Sequence, residues 1–316
     1  MGQGTIATDV NKVCASGMKS VMIASETLML GHRKIMVAGG MECMSQSPHY
    51  AFLRKPAGFG DVTFPDSIKH DGLTDVYNKI LMGSCTEKVV TDLNISRQAQ
   101  DEFAIESYNR ARKAQESGVL GWEIADVIIE DKKGSKKISH DEECQKFMPD
   151  KFPGLKPAFA KNGTITAANS SKLNDGACAF VLMTEQTAKE HGLQPLARIV
   201  SFGDAAVAPI DFGIAPAKAC QEALNRAGLK MKDIEYHEIN EAFSAVALAN
   251  MKLLDLDHNK VNVHGGAVAL GHPIGASGAR IILSLINVLR THNGKLGMAS
   301  ICNGGGGASA IIIEKF

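Results

Sequence analysis

Aromatic residues are scarce in this chain of 316 residues: they make up 5% of it, with one tryptophan. An excess of charge of one sign is also absent, because Lys+Arg and Asp+Glu both total 34 and the formal net charge is zero. Surfaces that bind nucleic acids or membranes usually carry a basic excess. We therefore expect neither nucleic acid nor membrane as a partner.

Long hydrophobic runs and paired cysteines are missing too. The longest apolar run near the C-terminus, residues 281–286, is far too short to cross a bilayer. The seven cysteines lack CxxC spacing, which disfavours a zinc site or a disulfide framework and favours a reducing compartment. The first residues match neither a signal peptide nor a mitochondrial presequence, and the last ones match no peroxisomal signal.

Apolar residues, at 45% of the chain, are sufficient for a large core. In the C-terminal part, short apolar stretches alternate with segments of helical periodicity, which predicts a layered α/β sheet. Strands are predicted at residues 177–183, 196–200, 234–238, 297–301 and 309–313, and helices at 184–192, 216–227, 241–254 and from 274 to about 292.

The N-terminal part predicts a helix over residues 15–30, ending at Gly31, and then a strand over 34–38 that ends at two glycines. Residues 46–161 are rich in Lys, Asp, Pro and Gly and show weak periodicity. One clear helix is predicted there, from an N-cap at Ser96 to Ser117. We interpret this stretch as an insertion that covers a site.

The two ends of the chain resemble each other. Residues 15–19 (ASGMK) recur as residues 276–280 (ASGAR), and each copy is followed by an apolar helix, a short strand and a glycine cluster. Ala-Ser-Gly is a common helix start, which is the simpler explanation of the tripeptide alone. The matching downstream pattern favours an internal duplication, with both helix starts pointing into one central site.

Cys14 precedes the first of these helices. The positive end of a helix dipole and its free backbone N–H groups would lower the pKa of a thiol there and make it a nucleophile. A lone cysteine is more commonly a small buried hydrophobe. Cys14 alone does not decide between the two.

Three further residues have similar double interpretations. His272, on a loop between Gly271 and Gly275, could take a proton from a thiol or be a structural loop histidine. Asn240 could cap a helix, or hold a water and donate to an oxyanion. Cys302 precedes four glycines, whose N–H groups could approach a ligand as an oxyanion hole requires, or merely form a tight turn.

Together, these segments resemble the four motifs of the thiolase family, in the same order: residues 11–17, 240–243, 271–273 and 302–304. The resemblance covers essentially the whole chain. Residues 71–77 and 209–212 are most similar to the acetoacetyl-CoA branch of that family, the mitochondrial acetyl-CoA C-acetyltransferases.

The resemblance implies two similar βαβαβαββ halves with an inserted loop domain. The first half would comprise residues 1–45 and a return segment at about 162–192, the loop and CoA-binding domain residues 46–161, and the second half residues 193–316. Thiolases have two further strand–helix units before the nucleophile, whereas thirteen residues precede Cys14 here. The first half is therefore expected to be truncated. The chain would then be either a fragment or a shortened protein that depends on a partner.

The activity that the resemblance implies is the reversible condensation of two acetyl-CoA molecules to acetoacetyl-CoA and CoA. Cys14 would become acylated while His272 takes its proton, and Cys302 would move a proton at the α-carbon of the second acetyl-CoA. Asn240, through a water, and His272 would form one oxyanion hole. The N–H groups of Cys14 and Gly304 would form the other.

The resemblance also assigns ligands, without a covalent cofactor. Coenzyme A and acyl contacts would come from Tyr108, Lys146, Phe147, Met148, Lys151, Ser171, Met82 and Phe212. A potassium ion would be held by Tyr108, Ala167, Ala168, Ser170 and Val268, with Ser170 replacing the family's alanine. Leu81 departs from the histidine common at its position. A homotetramer, built as a dimer of dimers, and a mitochondrial location are implied as well.

Two alternatives remain beside this activity. One is a truncated, inactive thiolase-like protein that binds CoA or pairs with a full-length subunit. The other is a thiolase for longer 3-ketoacyl-CoA substrates. A ketoacyl synthase is disfavoured, because such enzymes use a second histidine where this chain has Cys302.

Overall fold

The computed structural model describes residues 2–54, 58–132 and 134–316. The α-helices in these ranges are α1 (Ser16–Met29), α2 (Met82–Leu93), α3 (Arg97–Glu116), α4 (Glu185–Glu190), α5 (Ala215–Ala227), α6 (Ser244–Leu254), α7 (Ala267–Leu270) and α8 (Ile274–Thr291). The strands are β1 (Ile35–Cys43), β2 (Thr74–Asp75), β3 (Ile80–Leu81), β4 (Val127–Asp131), β5 (Gly134–Ile138), β6 (Asp175–Met183), β7 (Ala197–Ala206), β8 (Tyr236–Ile239), β9 (Leu296–Asn303) and β10 (Gly307–Lys315).

Two buried helices form the centre of the molecule. Helices α1 and α8 contact each other and lie between the antiparallel β1–β6 pair and a larger sheet. Their apolar side chains join those of β9 and β10 in one core cluster. Helix α8 is apolar and long enough to cross a membrane, but 72% of it is buried inside the protein, as expected of a core helix.

The larger sheet has the order β7-β10-β9-β8, in which β10 runs antiparallel to both neighbours and β8 runs parallel to β9. Helix α5 covers its other face. An isolated parallel β-bridge between Val261 and His237 lies where the βαβαβαββ order expects a third strand. With that bridge, residues 193–316 follow the βαβαβαββ order, while α1, β1 and β6 match its last three elements.

Glycines allow α1 and α8 to approach closely. A Cβ added at Gly17 would lie 2.8 Å from the backbone nitrogen of Ala279, and one added at Gly278 would lie 2.6 Å from that of Met18. These glycines occupy equivalent positions in the two Ala-Ser-Gly segments. The predicted duplication therefore corresponds to a pair of helices that touch through the same residue of each copy.

Strand β1 runs through Gly39 and Gly40, so the prediction that the strand ends there is wrong. A Cβ on Gly39 would lie 2.0 Å from the carbonyl oxygen of Cys178, and one on Gly40 would lie 2.0 Å from that of Gly275. The glycines are needed for close packing on β6 and the start of α8, rather than for a turn.

The segment between β1 and β6 carries α2, α3 and two short hairpins. The N-cap predicted at Ser96 is confirmed, because its Oγ accepts a hydrogen bond of 3.0 Å from the N–H of Ala99. Helix α2 was not predicted, since its apolar face consists of few, separated residues. Both helices pack on α6, and α3 also packs on α7, which brings the segment over the second half.

Candidate active site

Cys14 lies on a short 3₁₀ turn, Val13–Ala15, directly before α1. Val13 has φ +49°, in the left-handed region that β-branched residues rarely adopt. The turn is fixed by Ser16, whose Oγ donates to the carbonyl of Val13 (2.6 Å) and accepts from the N–H of Lys12 (2.9 Å). Such local strain is typical of functional sites.

The sulfur of Cys14 lies against the backbone N–H groups of Gly304 and of Cys14 itself. These are the two donors that the resemblance to thiolases assigned to one oxyanion hole. The pKa of the Cys14 thiol is nevertheless raised to about 11, mainly by burial and also by the nearby Glu42 carboxylate. The expectation that the pKa of Cys14 falls is therefore wrong: the two backbone N–H groups lower it, but desolvation by burial outweighs them.

His272 is held at two points. Its backbone N–H donates to the carbonyl of Lys172 (3.0 Å), and its Nδ1 lies 2.6 Å from the Oγ of Ser277, which itself donates to the carbonyl of Pro273 (3.0 Å). The Oγ of Ser277 thus accepts a hydrogen bond from Nδ1–H, which leaves Nε2 unprotonated and able to act as a base. Burial lowers the pKa of His272 to about 3, so the ring is neutral at pH 7.

Asn240 does not cap a helix, contrary to the default prediction for it, since α6 begins later, at Ser244. Its N–H continues the sheet by donating to the carbonyl of Ser300 (3.0 Å), and its Nδ2 lies 3.4 Å from Nε2 of His272. Within the described residues, its buried Oδ1 has no hydrogen-bond partner. The side-chain amide therefore remains available for a ligand in the site.

Cys302, near the end of β9, is fully buried. Burial raises the pKa of its thiol well above the usual range, and the neighbouring Cys14 adds to this effect. Met82, Phe212 and Cys302 belong to one apolar cluster, and the Sδ of Met82 lies 3.6 Å from where a Cβ of Gly304 would stand. The predicted acyl-pocket residues thus meet beside the two thiols.

The residues predicted to bind coenzyme A divide into two groups. Tyr108 and Phe147 stack with ring centroids 4.8 Å apart, and Ser171 donates through its Oγ to the carbonyl of Ala242 (2.9 Å). The other three, Lys146, Met148 and Lys151, are partly or fully exposed, and Lys146 forms an ion pair with Glu143. Their assignment to coenzyme A stays a prediction.

The five residues predicted to hold potassium also lie close together. Tyr108, Ala168 and Val268 share one buried cluster, and Ala167 and Ser170 belong to the adjoining loop. However, the ammonium of Lys172 donates to the carbonyls of Ala167 (2.8 Å) and Ser170 (2.6 Å). These residues therefore do not fit a potassium ion, because the ammonium of Lys172 already engages two of the carbonyl oxygens that would hold it. The described residues also contain no group of three or more His, Cys, Asp or Glu side chains placed to hold a metal ion.

Sequence reasoning missed three residues of this site: Val13, Ser277 and Lys172. Ser277 belongs to the repeated Ala-Ser-Gly segment, so its equivalence to Ser16 beside Cys14 was an available signal. Lys172 closely follows the segment predicted to bind potassium, and a positively charged side chain there was a signal against a bound cation. The strain at Val13 had no signal in the sequence.

Comparison with known families settles what this arrangement belongs to. The model of the thiolase N-terminal domain matches residues 1–186, and that of the thiolase C-terminal domain matches residues 193–315. The chain belongs to the thiolase family. The four segments that resemble thiolase motifs all lie within the matched residues.

Individual thiolases give the same result. The chain is 57% identical to acetyl-CoA acetyltransferase B, mitochondrial, of Xenopus laevis, over 98% of this chain and 74% of that protein. It is similar to the crystal structure of the Acat5 thiolase of Ascaris suum in complex with coenzyme A (TM-score 0.94, 44% identity, 100% of this chain and 81% of the other). The human mitochondrial 3-ketoacyl-CoA thiolase gives TM-score 0.96 at 36% identity, covering 100% and 80%.

Proposed function

We propose that this thiolase is an acetyl-CoA C-acetyltransferase, which condenses two acetyl-CoA molecules to acetoacetyl-CoA and CoA and catalyses the reverse thiolysis. The names of its relatives support this activity. Two sets of contacts support the chemistry: Cys14 lies beside Cys302 and the Gly304 N–H, and Asn240 lies beside His272. Thiolysis of 2-methylacetoacetyl-CoA belongs to the same proposal.

In the first step, the sulfur of Cys14 attacks the thioester carbonyl of acetyl-CoA while Nε2 of His272 takes the thiol proton. The carbonyl oxygen becomes an oxyanion, for which the N–H groups of Cys14 and Gly304 are suitable donors. Cys302 is a thiol at rest, since its pKa is raised. Its proton passes to the sulfur of CoA as the C–S bond breaks, leaving acetyl-Cys14 and a Cys302 thiolate, and the raised pKa makes that thiolate a strong base for the second step.

In the second step, the Cys302 thiolate removes a proton from the α-carbon of the second acetyl-CoA. The enolate oxygen faces Asn240 and His272, and the carbanion attacks the carbonyl of acetyl-Cys14. The bond to Cys14 breaks, His272 returns its proton to the departing sulfur, and acetoacetyl-CoA is released. Both thiols and the imidazole then carry the protons with which they began.

The test is acetylation of Cys14. Incubation with acetyl-CoA should add one acetyl group, located at Cys14 by peptide mass spectrometry, because the N–H groups of Gly304 and of Cys14 itself lie beside this thiol. Cys14→Ser should lose the label and slow thiolysis by about 10³-fold or more. Cys178→Ser, which changes a thiol in strand β6, should retain both. Binding of CoA without acetylation of Cys14 would instead support the inactive binding protein.

A longer-chain 3-ketoacyl-CoA thiolase is the second candidate, because the human mitochondrial enzyme of that name has the same fold. Burial of Met82 and Phe212 beside Cys302 favours short acyl groups. Thiolysis rates should therefore be higher with acetoacetyl-CoA and 2-methylacetoacetyl-CoA than with longer 3-ketoacyl-CoA. Faster cleavage of the long substrates would reverse the assignment.

A homotetramer and a mitochondrial location complete the proposal. The names of several relatives, which are mitochondrial enzymes, support the location. Light scattering after size-exclusion chromatography would measure the oligomeric state.

A further inference from the structure

The ammonium group of Lys172 lies inside the loop formed by residues 166–172. It donates to the carbonyl oxygens of Ala167 (2.8 Å) and Ser170 (2.6 Å) and lies 5.9 Å from the ring centroid of Tyr108. Three of the five residues predicted to hold potassium therefore face the end of a lysine side chain.

Carbonyl oxygens that converge on one point need a cation, and a lysine ammonium is a compact positive charge with three donor hydrogens. At these distances both oxygens are engaged in charge-assisted hydrogen bonds. A potassium ion on the same two oxygens would lie within a few ångströms of the ammonium and be repelled by it. The ion and the ammonium are therefore mutually exclusive in this position.

We propose that the ammonium of Lys172 replaces potassium in this protein, so that a tethered cation organises the loop and the protein is independent of added potassium. This inference concerns the structural cation and does not rest on the proposed activity.

The loop that this cation organises supports the active site. The carbonyl of Lys172 accepts the backbone N–H of His272 (3.0 Å), and the N–H of Ser171 donates to the carbonyl of Ala242 (3.1 Å). The N–H of Ser244, at the start of α6, donates to the carbonyl of Asn169 (2.9 Å). Lys172 is thus a positioning residue for His272 and for the turn that follows Asn240.

The lysine is charged at neutral pH. Burial lowers its pKa to about 8, and the carboxylate of Glu143 opposes this shift. Tyr108, the other titratable group facing it, remains neutral, because burial raises its pKa to about 12. With a pKa of about 8, Lys172 is mainly protonated at pH 7.

The experiment compares melting temperatures in KCl and in choline chloride at equal ionic strength, pH 7. The wild type should give the same melting temperature in both. Lys172→Thr, which removes the ammonium and opens space, should melt about 5 °C lower in choline chloride and regain part of that loss in KCl. The control Lys161→Thr, at an exposed lysine nearby, should behave as the wild type in both salts.

Potassium rescue separates a cation role from simple packing. A lowered melting temperature of Lys172→Thr that KCl does not raise would overturn the proposal, as would a melting temperature equal to that of Lys161→Thr. If Lys172→Thr does not fold, the wild type alone decides. Its stabilisation by KCl over choline chloride would show that the protein binds potassium after all, and equal melting temperatures would support the proposal.

Discussion

At the scale of single residues, the reactive groups are neutral in the resting protein. Burial raises the pKa of Cys14 to about 11 and lowers that of His272 to about 3. A preformed thiolate–imidazolium pair is therefore unfavourable at neutral pH. Proton transfer must accompany attack on the thioester, where the N–H donors stabilise the new negative charge.

The pH dependence of Cys14 alkylation tests this directly. With a thiol pKa of about 11, the rate of reaction with iodoacetamide should still be rising at pH 9 to 10, because the thiolate fraction grows tenfold per pH unit below the pKa. His272, with a pKa of about 3, should cause no loss of kcat/KM on the acid side down to about pH 4. Peptide mass spectrometry of the Cys178→Ser variant measures the rate of Cys14 alkylation. Steady-state assays measure the pH dependence of kcat/KM.

A plateau of the alkylation rate already reached by pH 8 would contradict this, since it would require a thiolate stabilised in the resting protein.

The identities of the reactive residues could be predicted from the sequence, but their ionisation could not. Cys14, His272 and Cys302 belong to short motifs that can be recognised in the sequence without knowing what surrounds them in the fold. Their pKa values depend on side chains brought in from distant segments, such as Glu42 beside Cys14. Asn240 shows the same limit, because only the β8–β9 pairing reveals that its N–H is used by Ser300.

At the scale of elements, the contact of α1 with α8 sets the position of the nucleophile. Gly17 and Gly278 each leave no room for a methyl group against the backbone of the facing helix. Gly17→Ala and Gly278→Ala should each lower the free energy of unfolding by about 1–3 kcal/mol, the usual cost of overpacking. Urea denaturation measures this loss.

Gly121→Ala is the matched control for both variants. A Cβ at Gly121 would meet nothing within 4 Å, so its free energy of unfolding should change by less than about 0.5 kcal/mol. Equal stability of all three variants would show that the helices are not held at this separation.

Element prediction succeeded where local signals were strong. Ser96 caps α3 as its sequence indicates, and the α/β alternation after residue 193 is reproduced with small shifts in bounds. It failed for α2 and for the glycines of β1, where tertiary contacts decide. Gly39 and Gly40 suggest a turn locally, but in the fold they let β6 and α8 approach.

At the scale of the whole molecule, buried carboxyl groups make stability depend on pH. Burial raises the pKa of Glu238 well above its usual value, and neither of its oxygens has a hydrogen-bond partner in the described part of the chain. Burial likewise raises the pKa of Glu241, and that of Glu123 to about 7.

For each of these groups the folded state holds the proton longer than the unfolded state. Their contribution to stability is therefore complete below the unfolded pKa of about 4.3 and is lost as pH rises through the folded pKa. Glu238→Gln removes one such group and should raise the free energy of unfolding at pH 7.5 by at least about 1 kcal/mol. Its advantage over the wild type should shrink toward pH 5, as urea denaturation at both pH values would show.

Glu26→Gln, at an exposed position in α1, is the control and should lack this pH-dependent gain. An advantage of Glu238→Gln that is the same at pH 5 and pH 7.5 would refute the assignment of the effect to this carboxyl group.

The contributions to the site come from opposite ends of the chain, and this has a consequence for biosynthesis. Cys14 leaves the ribosome early, whereas Asn240, His272, Cys302 and the Gly304 N–H follow only in the last part of translation. The turn before Cys14 is also tied to the final strand, since Lys12 donates to the carbonyl of Ala308 (3.1 Å) and to Ser309 (2.8 Å). A nascent chain therefore carries an ordinary thiol, and it gains the power to react with thioesters only when its last strand has been made.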